Sequence, residues 1–227
     1  KEGIKLKMKE ILINQKENIK QILLLEDGNL VEKYQESEAI QRIEGNIYIG
    51  KVENVLQGMQ SAFVDIGQEK NTFIHLKDIL PKVDITKEPE VEEVPISTLI
   101  KAGDPIIVEV KREAVDKKGP RLSTHINLSS RFVVVMPNAT FVTVSQKIEN
   151  EEERKRLKEI AQKYLPENMG AIIRTVAENI KEEDLKEDIE KTLEKWQKIQ
   201  EIPIEKIPQK IYDKGGILKK TIVDLVD

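Results

Sequence analysis

The sequence contains no cysteine among its 227 residues. This absence excludes a disulfide framework, a thiol nucleophile and a cysteine-based zinc site in this chain. Proteins that fold without disulfides are typical of reducing compartments, so we expect a cytoplasmic protein.

Long apolar runs are missing as well. The apolar stretch at residues 21–25 is far shorter than the roughly 20 residues that a membrane-spanning helix needs. The N-terminus also lacks the pattern of a secretory signal peptide. We therefore expect a soluble protein without a membrane segment.

An excess of positive charge is absent too. The chain carries 37 Lys and Arg against 41 Asp and Glu, which gives a net charge of −4 and a pI near 5.6. This balance excludes a broadly basic surface, so any polyanion must be bound by local patches. Histidine is scarce, and neither His75 nor His125 has a serine or carboxylate at a compelling spacing. A general-acid or metal role for them is a minority hypothesis.

The most informative segment is residues 45–76, GNIYIGKVENVLQGMQSAFVDIGQEKNTFIHL. Alternating apolar positions bounded by glycines predict three short strands. Because one face of the strand at residues 62–66 is apolar, Phe63 points to the other face, and a turn brings Phe73 onto the same sheet. Two such rings can stack nucleic-acid bases, at roughly 1–3 kcal/mol per base. The alternative is that both are ordinary core residues.

Regular patterns lie on both sides of this segment. Residues 1–7 precede Met8, a natural start, and are interpreted as an upstream extension or vector-derived residues. Periodicity and turn residues predict the following elements: an antiparallel meander over 9–34, an acidic loop over 81–100, strands at 105–112, 132–136, 141–144 and 171–176, helices at 151–164 and 182–199, and a short strand and a helix within 201–227. On the helix at 182–199, Trp196 is predicted to be a core residue.

Three motifs within residues 45–76 are IYIGKV, SAFVDIG and KNTFIHL. In order and spacing they resemble the S1-type domain of the ribonuclease E/G family of bacterial endoribonucleases. The resemblance implies that Phe63 and Phe73 contact RNA. The motif KKGPRLST is similar to the final hairpin of the same domain. In the family this hairpin has a lysine that contacts RNA, and Lys118 occupies the matching position. On composition alone, that turn reads as a solvated hairpin tip.

A further word, GAIIRT at residues 170–175, resembles the part of the family that senses the 5′ end of RNA. The resemblance implies that Arg174 and Thr175 hold a terminal monophosphate, with Val134 as a pocket wall. Ser130 stands where some members have glycine, so its hydroxyl narrows the pocket or adds a donor. Arginine suits this role because its planar fork of donors matches phosphate oxygens. The alternative is a salt bridge followed by a turn.

The resemblance also implies an architecture, an α+β chain of several subdomains. Residues 8–41 would begin an RNase-H-like subdomain, into which a five-stranded OB-fold barrel of S1 type, residues 42–124, is inserted. An α/β 5′-sensor subdomain would cover residues 125–200. Residues 201–227 would begin the second part of the RNase-H-like subdomain, which is truncated here.

The implied function is RNA binding without cleavage. In the family, a later catalytic subdomain uses two aspartates to hold Mg²⁺, and a Cys-x-x-Cys zinc link lies beyond it. We therefore expect the N-terminal part of a single-strand-specific, 5′-end-dependent endoribonuclease of RNA processing and decay. This part needs no cofactor, whereas the full-length enzyme would be a homo-oligomer with Mg²⁺ and Zn²⁺. Two alternatives are a standalone, non-catalytic RNA-binding regulator and a protein-interaction scaffold.

Overall fold

The computed structural model describes residues 8–16, 19–37, 42–79, 94–114 and 119–215. These residues form two compact units. The described residues up to Arg42, together with Gly215, belong to one unit, and those within Ile43–Lys214 belong to the other. Among the described residues, no helix is long and apolar enough to cross a membrane.

The first unit contains an antiparallel meander of β1 (Lys9–Lys16), β2 (Ile19–Glu26) and β3 (Asn29–Ser37). Asp27 and Gly28 form the turn between β2 and β3 and have φ angles of 50° and 78°. Positive φ at both positions matches the two-residue turn that suits the twist of a hairpin. The predicted meander is confirmed.

The second unit begins with a closed barrel. Its elements are β4 (Ile47–Leu56), β5 (Ser61–Asp65), β6 (Thr72–His75), the short helix α1 (Ile96–Leu99), β7 (Pro105–Arg112) and β8 (Arg121–Ser123). The strand order is β4-β5-β6-β8-β7, and pairing of β7 with β4 closes the ring. A closed barrel of five strands is compatible with the predicted OB-fold.

Alternation along the strands fills the barrel. Small and β-branched side chains dominate the interior. Seven interior side chains of the strands are at most 1% exposed, and all but the last are small or β-branched: Val52, Ala62, Val64, Ile74, Val108, Val110 and Leu122. Branched side chains pack well on a pleated surface, which favours these residues in strands. The same alternation leaves the intervening side chains on the outer face.

A four-stranded sheet with two helices follows the barrel. Its elements are β9 (Leu128–Ser129), β10 (Val133–Met136), β11 (Val142–Val144), α2 (Glu151–Tyr164), β12 (Gly170–Ile173) and α3 (Glu182–Gln200). The order is β11-β12-β10-β9, with β11 parallel to β12 and the other pairs antiparallel. At the start of α2, the Asn150 side chain accepts hydrogen bonds from the amides of Glu152 and Glu153. Such a cap satisfies amides that the helix itself leaves unbonded.

Both helices pack against one face of this sheet. The shared core is formed by Val133, Val135, Ala171 and Ile173 from the strands and by Leu157, Ala161, Leu185 and Ile189 from the helices. On the opposite face, Ser129, Val134, Thr143 and Ile172 are only partly buried. The sheet therefore has one packed face and one partly open face.

A last strand, β13 (Gln209–Tyr212), pairs with β4 on the outside of the barrel. It joins an apolar cluster with Ile47, Ile126 and Trp196. Trp196 is 8% exposed, which confirms its prediction as a core residue. Of the acidic surface loop expected over residues 81–100, residues 81–93 lie outside the described residues, as does the helix expected at residues 217–226. The end of that prediction is wrong, because residues 96–99 form α1 and Ile96 and Ile100 are buried in the core of the barrel.

Candidate nucleic-acid interface

The two phenylalanines predicted to contact RNA lie directly opposite each other. Phe63 on β5 pairs in register with Phe73 on the antiparallel strand β6. Ala62, Val64 and Ile74 beside them point into the barrel, so both rings are on its outer face, where each is partly buried. Directly opposed residues have Cβ atoms about 4.5–5.5 Å apart, which places the two rings side by side.

The register extends this pair into a row of five side chains. Phe63 also pairs with Asn54 on β4, and Phe73 pairs with Arg121 on β8. Arg121 in turn pairs with Arg112 on β7. Because opposed residues project from the same face of a sheet, these five side chains form one row across the outer face of the barrel. The order of the row is Asn54, Phe63, Phe73, Arg121 and Arg112.

Arg121 is held in a fixed orientation within this row. Its Nε donates to Oδ2 of Asp78 at 2.9 Å, and its Nη2 donates to Oδ1 at 3.1 Å. A two-point contact of this type fixes the plane of the guanidinium group. Arg121 nevertheless keeps 42% of its side chain exposed, and Arg112 is exposed as well. The row therefore ends in two arginines, of which Arg121 is paired with Asp78 and Arg112 is exposed.

Lys118, the third predicted RNA contact, lies outside the described residues. The next residue, Gly119, is close to the start of β6, because a Cβ atom at this position would lie 1.7 Å from the carbonyl oxygen of Asn71. Only glycine fits there without displacing backbone. Gly119 therefore lies against Asn71, which precedes Phe73 by two residues.

The residues predicted to bind a 5′-phosphate form a second cluster, at the end of β12. The amide of Arg174 donates to the carbonyl oxygen of Phe132 at 2.8 Å. Its Nη1 donates to the carbonyl oxygens of Ser130 at 2.8 Å and Arg131 at 3.2 Å. The guanidinium is thus fixed over the loop before β10. The strand ends at Ile173, earlier than the predicted residue 176, because a tight turn through Thr175 follows.

The other members of this cluster surround Arg174. Val134 pairs with Ile172, two residues before Arg174, on the face of the sheet without helices. The hydroxyls of Thr175 and Ser145 are 2.9 Å apart and hydrogen-bonded. Arg174 therefore contacts the backbone of Ser130, Thr175 follows it in the chain, and Val134 lies on the neighbouring strand. Their role in RNA binding stays a prediction.

Ser130 is bonded to helix α3. Its hydroxyl donates to Oδ1 of Asp188 at 2.5 Å, and Oδ2 of Asp188 accepts from the amides of Phe132 at 2.8 Å and Val133 at 3.2 Å. Asp188 therefore fixes the loop whose carbonyl oxygens hold Arg174. The sequence did not point to Asp188, which is 58 residues from Ser130, nor to Arg112 and Arg121.

The histidines have structural contacts. Nδ1 of His75 accepts from the amide of Lys77 at 3.2 Å, and Nε2 of His125, which is buried, lies 3.3 Å from the carbonyl oxygen of Lys77. Within the described ranges, no three His, Asp or Glu side chains are grouped to hold a metal ion. These residues therefore do not fit the Mg²⁺ and Zn²⁺ sites expected of the full-length enzyme.

Comparison with known proteins connects both clusters to one family. Residues 127–227 match the family described as the ribonuclease E/G family. The chain is 42% identical over 222 residues to ribonuclease G of Haemophilus influenzae and 38% identical over 224 residues to ribonuclease G of Escherichia coli. Each alignment covers 96% of this chain and 45% of the relative.

A more distant relative is ribonuclease E of a Synechocystis species, which is 34% identical over 183 residues. That alignment covers 80% of this chain and 26% of the relative. The chain thus spans less than half the length of the curated relatives that it matches. The resemblance found in the sequence is confirmed.

Proposed function

Because the chain belongs to the ribonuclease E/G family, we propose that it is the RNA-binding N-terminal part of a single-strand-specific, 5′-end-dependent endoribonuclease of RNA processing and decay. The proposal assigns cleavage, with its Mg²⁺, the zinc site and the homo-oligomer contacts to the length of the relatives that this chain does not span. This chain alone would bind RNA in the cytoplasm and leave it intact.

The single observation that carries the proposal is the register of Phe63 with Phe73 on the outer face of the barrel. Successive unpaired bases would stack on the two rings, at roughly 1–3 kcal/mol per base. A duplex cannot use these rings, because its bases are already stacked and paired. The proposed stacking would therefore favour single strands over duplexes. Lys118 would contact the phosphate backbone, and Arg112, at the end of the row, would add a second backbone contact.

The second cluster supports recognition of a 5′-monophosphate. Arg174 is fixed by two backbone carbonyl oxygens, and the hydroxyl of Thr175 is beside the end of the same strand. A terminal phosphate would form charge-assisted hydrogen bonds with this fork and with the hydroxyl. Val134 would line the apolar side. Ser130 would act through its carbonyl oxygen, which accepts from Arg174, because its hydroxyl is bonded to Asp188. A 5′-hydroxyl end would lose the charged contacts.

Fluorescence anisotropy with the purified chain tests this function. The chain is titrated into a labelled single-stranded RNA of mixed sequence and, separately, into the same RNA annealed to its complement, and the two affinities are compared. Both titrations are carried out with and without Mg²⁺, and the RNA is afterwards recovered on a denaturing gel to detect cleavage. We expect at least tenfold tighter binding of the single strand and no cleavage products. Equal affinity for the duplex would contradict the stacking platform, and Mg²⁺-dependent cleavage would contradict the assignment of catalysis to another part.

A further inference from the structure

A groove runs between helix α2 and the edge strand β11 of the four-stranded sheet. Its volume is about 240 Å³, and it is lined by β11 and by Glu151, Arg154, Lys155 and Lys158 of α2. The helical residues recur at intervals of three to four, which places them along one side of α2, above the strand. Among the described residues, β11 pairs with β12 alone, so its other edge borders the groove.

The hydrogen-bond pattern shows which backbone groups face the groove. Phe141 accepts from the amide of Ala171, and the amide of Ser145 donates to Ile173, so the odd-numbered residues of this segment are bonded to β12. In a parallel ladder, alternate residues of a strand turn their amides and carbonyls to opposite sides. The amides and carbonyls of Val142 and Val144 therefore point into the groove, where an added strand could pair with them.

The helical side of the groove is cationic. Arg154, Lys155 and Lys158 contribute three positive charges against one carboxylate, Glu151. Nη1 of Arg154 is fixed by the carbonyl oxygens of Ser145 at 2.7 Å and Ile148 at 3.2 Å. The side chain of Lys155 is 80% exposed, and the distance from its Nζ to Oε1 of Glu159 is long, at 4.0 Å. Lys155 and Lys158 therefore present their charges to solvent along the groove, whereas Arg154 is partly buried.

We propose that this groove binds an extended, acidic peptide segment of a partner protein, which adds to β11 as a further strand. The backbone of the peptide would pair with Val142 and Val144, and carboxylates at alternate positions would meet Lys155 and Lys158. Single-stranded RNA fits less well, since none of the described residues that line the groove is aromatic and could stack a base. The groove borders the Arg174 cluster, because the carbonyl oxygen of Ser145 accepts from Arg154 and its hydroxyl is bonded to Thr175, but it is lined by none of the residues proposed to hold phosphate.

Anisotropy with the full chain tests the proposal. The probe is a fluorescent octapeptide of alternating glutamate and valine, measured at low salt. We expect saturable binding that weakens at least tenfold in Lys158→Glu and is unchanged in Lys198→Glu, a matched reversal at an exposed lysine of α3. Peptides of this sequence that carry an N-methyl group on every residue should not bind, because they have no amide hydrogen left to donate to the carbonyl oxygens of Val142 and Val144.

Four results would overturn the proposal. The first is equal binding of the N-methylated peptides, and the second is equal binding by Lys158→Glu with an unchanged melting temperature. The third is displacement of the peptide by a single-stranded RNA whose own affinity falls in Lys158→Glu, since the groove would then be an RNA site. The fourth is a dimer in sedimentation that dissociates in Lys158→Glu, since the occupant would then be a second copy of this chain.

Discussion

Phe63 and Phe73 occupy directly opposed positions on two antiparallel strands, with both rings outside the barrel and both sets of flanking residues inside it. A partly exposed aromatic pair offers apolar ring surface that another molecule can cover. The pair is also next in register to Arg121 and Arg112. This arrangement places two apolar rings beside two arginines, of which Arg112 is exposed, and single-stranded nucleic acids bind where aromatic rings and cations lie together.

Replacing Phe63 with alanine should weaken binding of a 5′-hydroxyl single-stranded RNA about 5- to 150-fold, the equivalent of roughly 1–3 kcal/mol of stacking. Phe73→Ala should behave similarly. The measurement is an anisotropy titration accompanied by a melting curve. Phe141→Ala, at another partly buried phenylalanine outside the barrel, is the matched control and should leave RNA affinity unchanged. If Phe63→Ala lowers the melting temperature while the folded fraction binds RNA normally, the rings serve packing and the scaffold alternative is favoured.

Replacing Arg112 with alanine should weaken RNA binding and make it less dependent on salt. One lost phosphate contact reduces the slope of log affinity against log salt by about 0.7 for a single strand. Lys101→Ala removes an exposed charge before the opposite end of β7 and should leave that slope unaltered. Titrations at several salt concentrations provide the comparison. Identical slopes for Arg112→Ala and the unmodified chain would exclude Arg112 from the RNA path.

The phenylalanine pair could be predicted from the sequence, whereas the rest of the row could not. Alternation along β5 and β6 is local, so it places Phe63 and Phe73 correctly. Alternation from Ile106, Val108 and Val110 would turn Arg112 inward. A bulge between Val110 and Arg112 shifts the register and pairs it with Arg121 outside. Bulges and the parallel pairing of β6 with β8 depend on closure of the barrel, which short sequence patterns do not contain.

The second cluster shows the same limit. The word at residues 170–175 identified Arg174 and Thr175, and the structure places both at the end of β12. The partner that fixes their surroundings, Asp188, is three residues after Leu185, at the border of the apolar face of a helix sequence that is rich in charge. Its bonds to Ser130, Phe132 and Val133 arise only when α3 packs on the sheet. Long-range packing, rather than local pattern, determines this contact.

Replacing Asp188 with alanine should lower the preference for 5′-monophosphorylated RNA without removing any group proposed to touch phosphate. The loop at residues 130–133 would lose three hydrogen bonds, and the carbonyl oxygens that hold Arg174 would shift. Each bond to a charged acceptor contributes about 1.5–3 kcal/mol, so we also expect a lower melting temperature. Asp184→Ala, at an exposed carboxylate of α3, should change neither property. An unaltered preference in a destabilised Asp188→Ala protein would contradict the positioning role.

The stability of the second unit should depend on pH through Glu153. Hydrogen bonds from Arg156, both at 2.7 Å, hold the pKa of Glu153 below its ordinary value. A lowered pKa in the folded state means that this contribution is present above the ordinary pKa and is lost as pH falls through the lowered one. Glu153→Gln should therefore reduce the free energy of unfolding by about 1–3 kcal/mol at pH 7 and by much less at strongly acid pH.

Urea denaturation of Glu153→Gln at the two pH values measures this difference. Glu159→Gln is the control, since the contact of Glu159 with Lys155 is long and exposed and should contribute little. A loss of equal size at both pH values would show that packing, rather than the ionised carboxylate, is responsible.

The most direct test of the account compares the affinity of the chain for 5′-monophosphorylated and 5′-hydroxyl single-stranded RNA of the same sequence. We predict at least tenfold tighter binding of the monophosphate, with the preference abolished in Arg174→Ala and retained in Arg131→Ala, its exposed neighbour. In Phe63→Ala, affinity for both RNAs should fall while the preference remains. Equal affinity of the unmodified chain for both RNAs would contradict binding of RNA at two sites, the pair of phenylalanines and the Arg174 cluster. An undiminished preference in Arg174→Ala would contradict it as well.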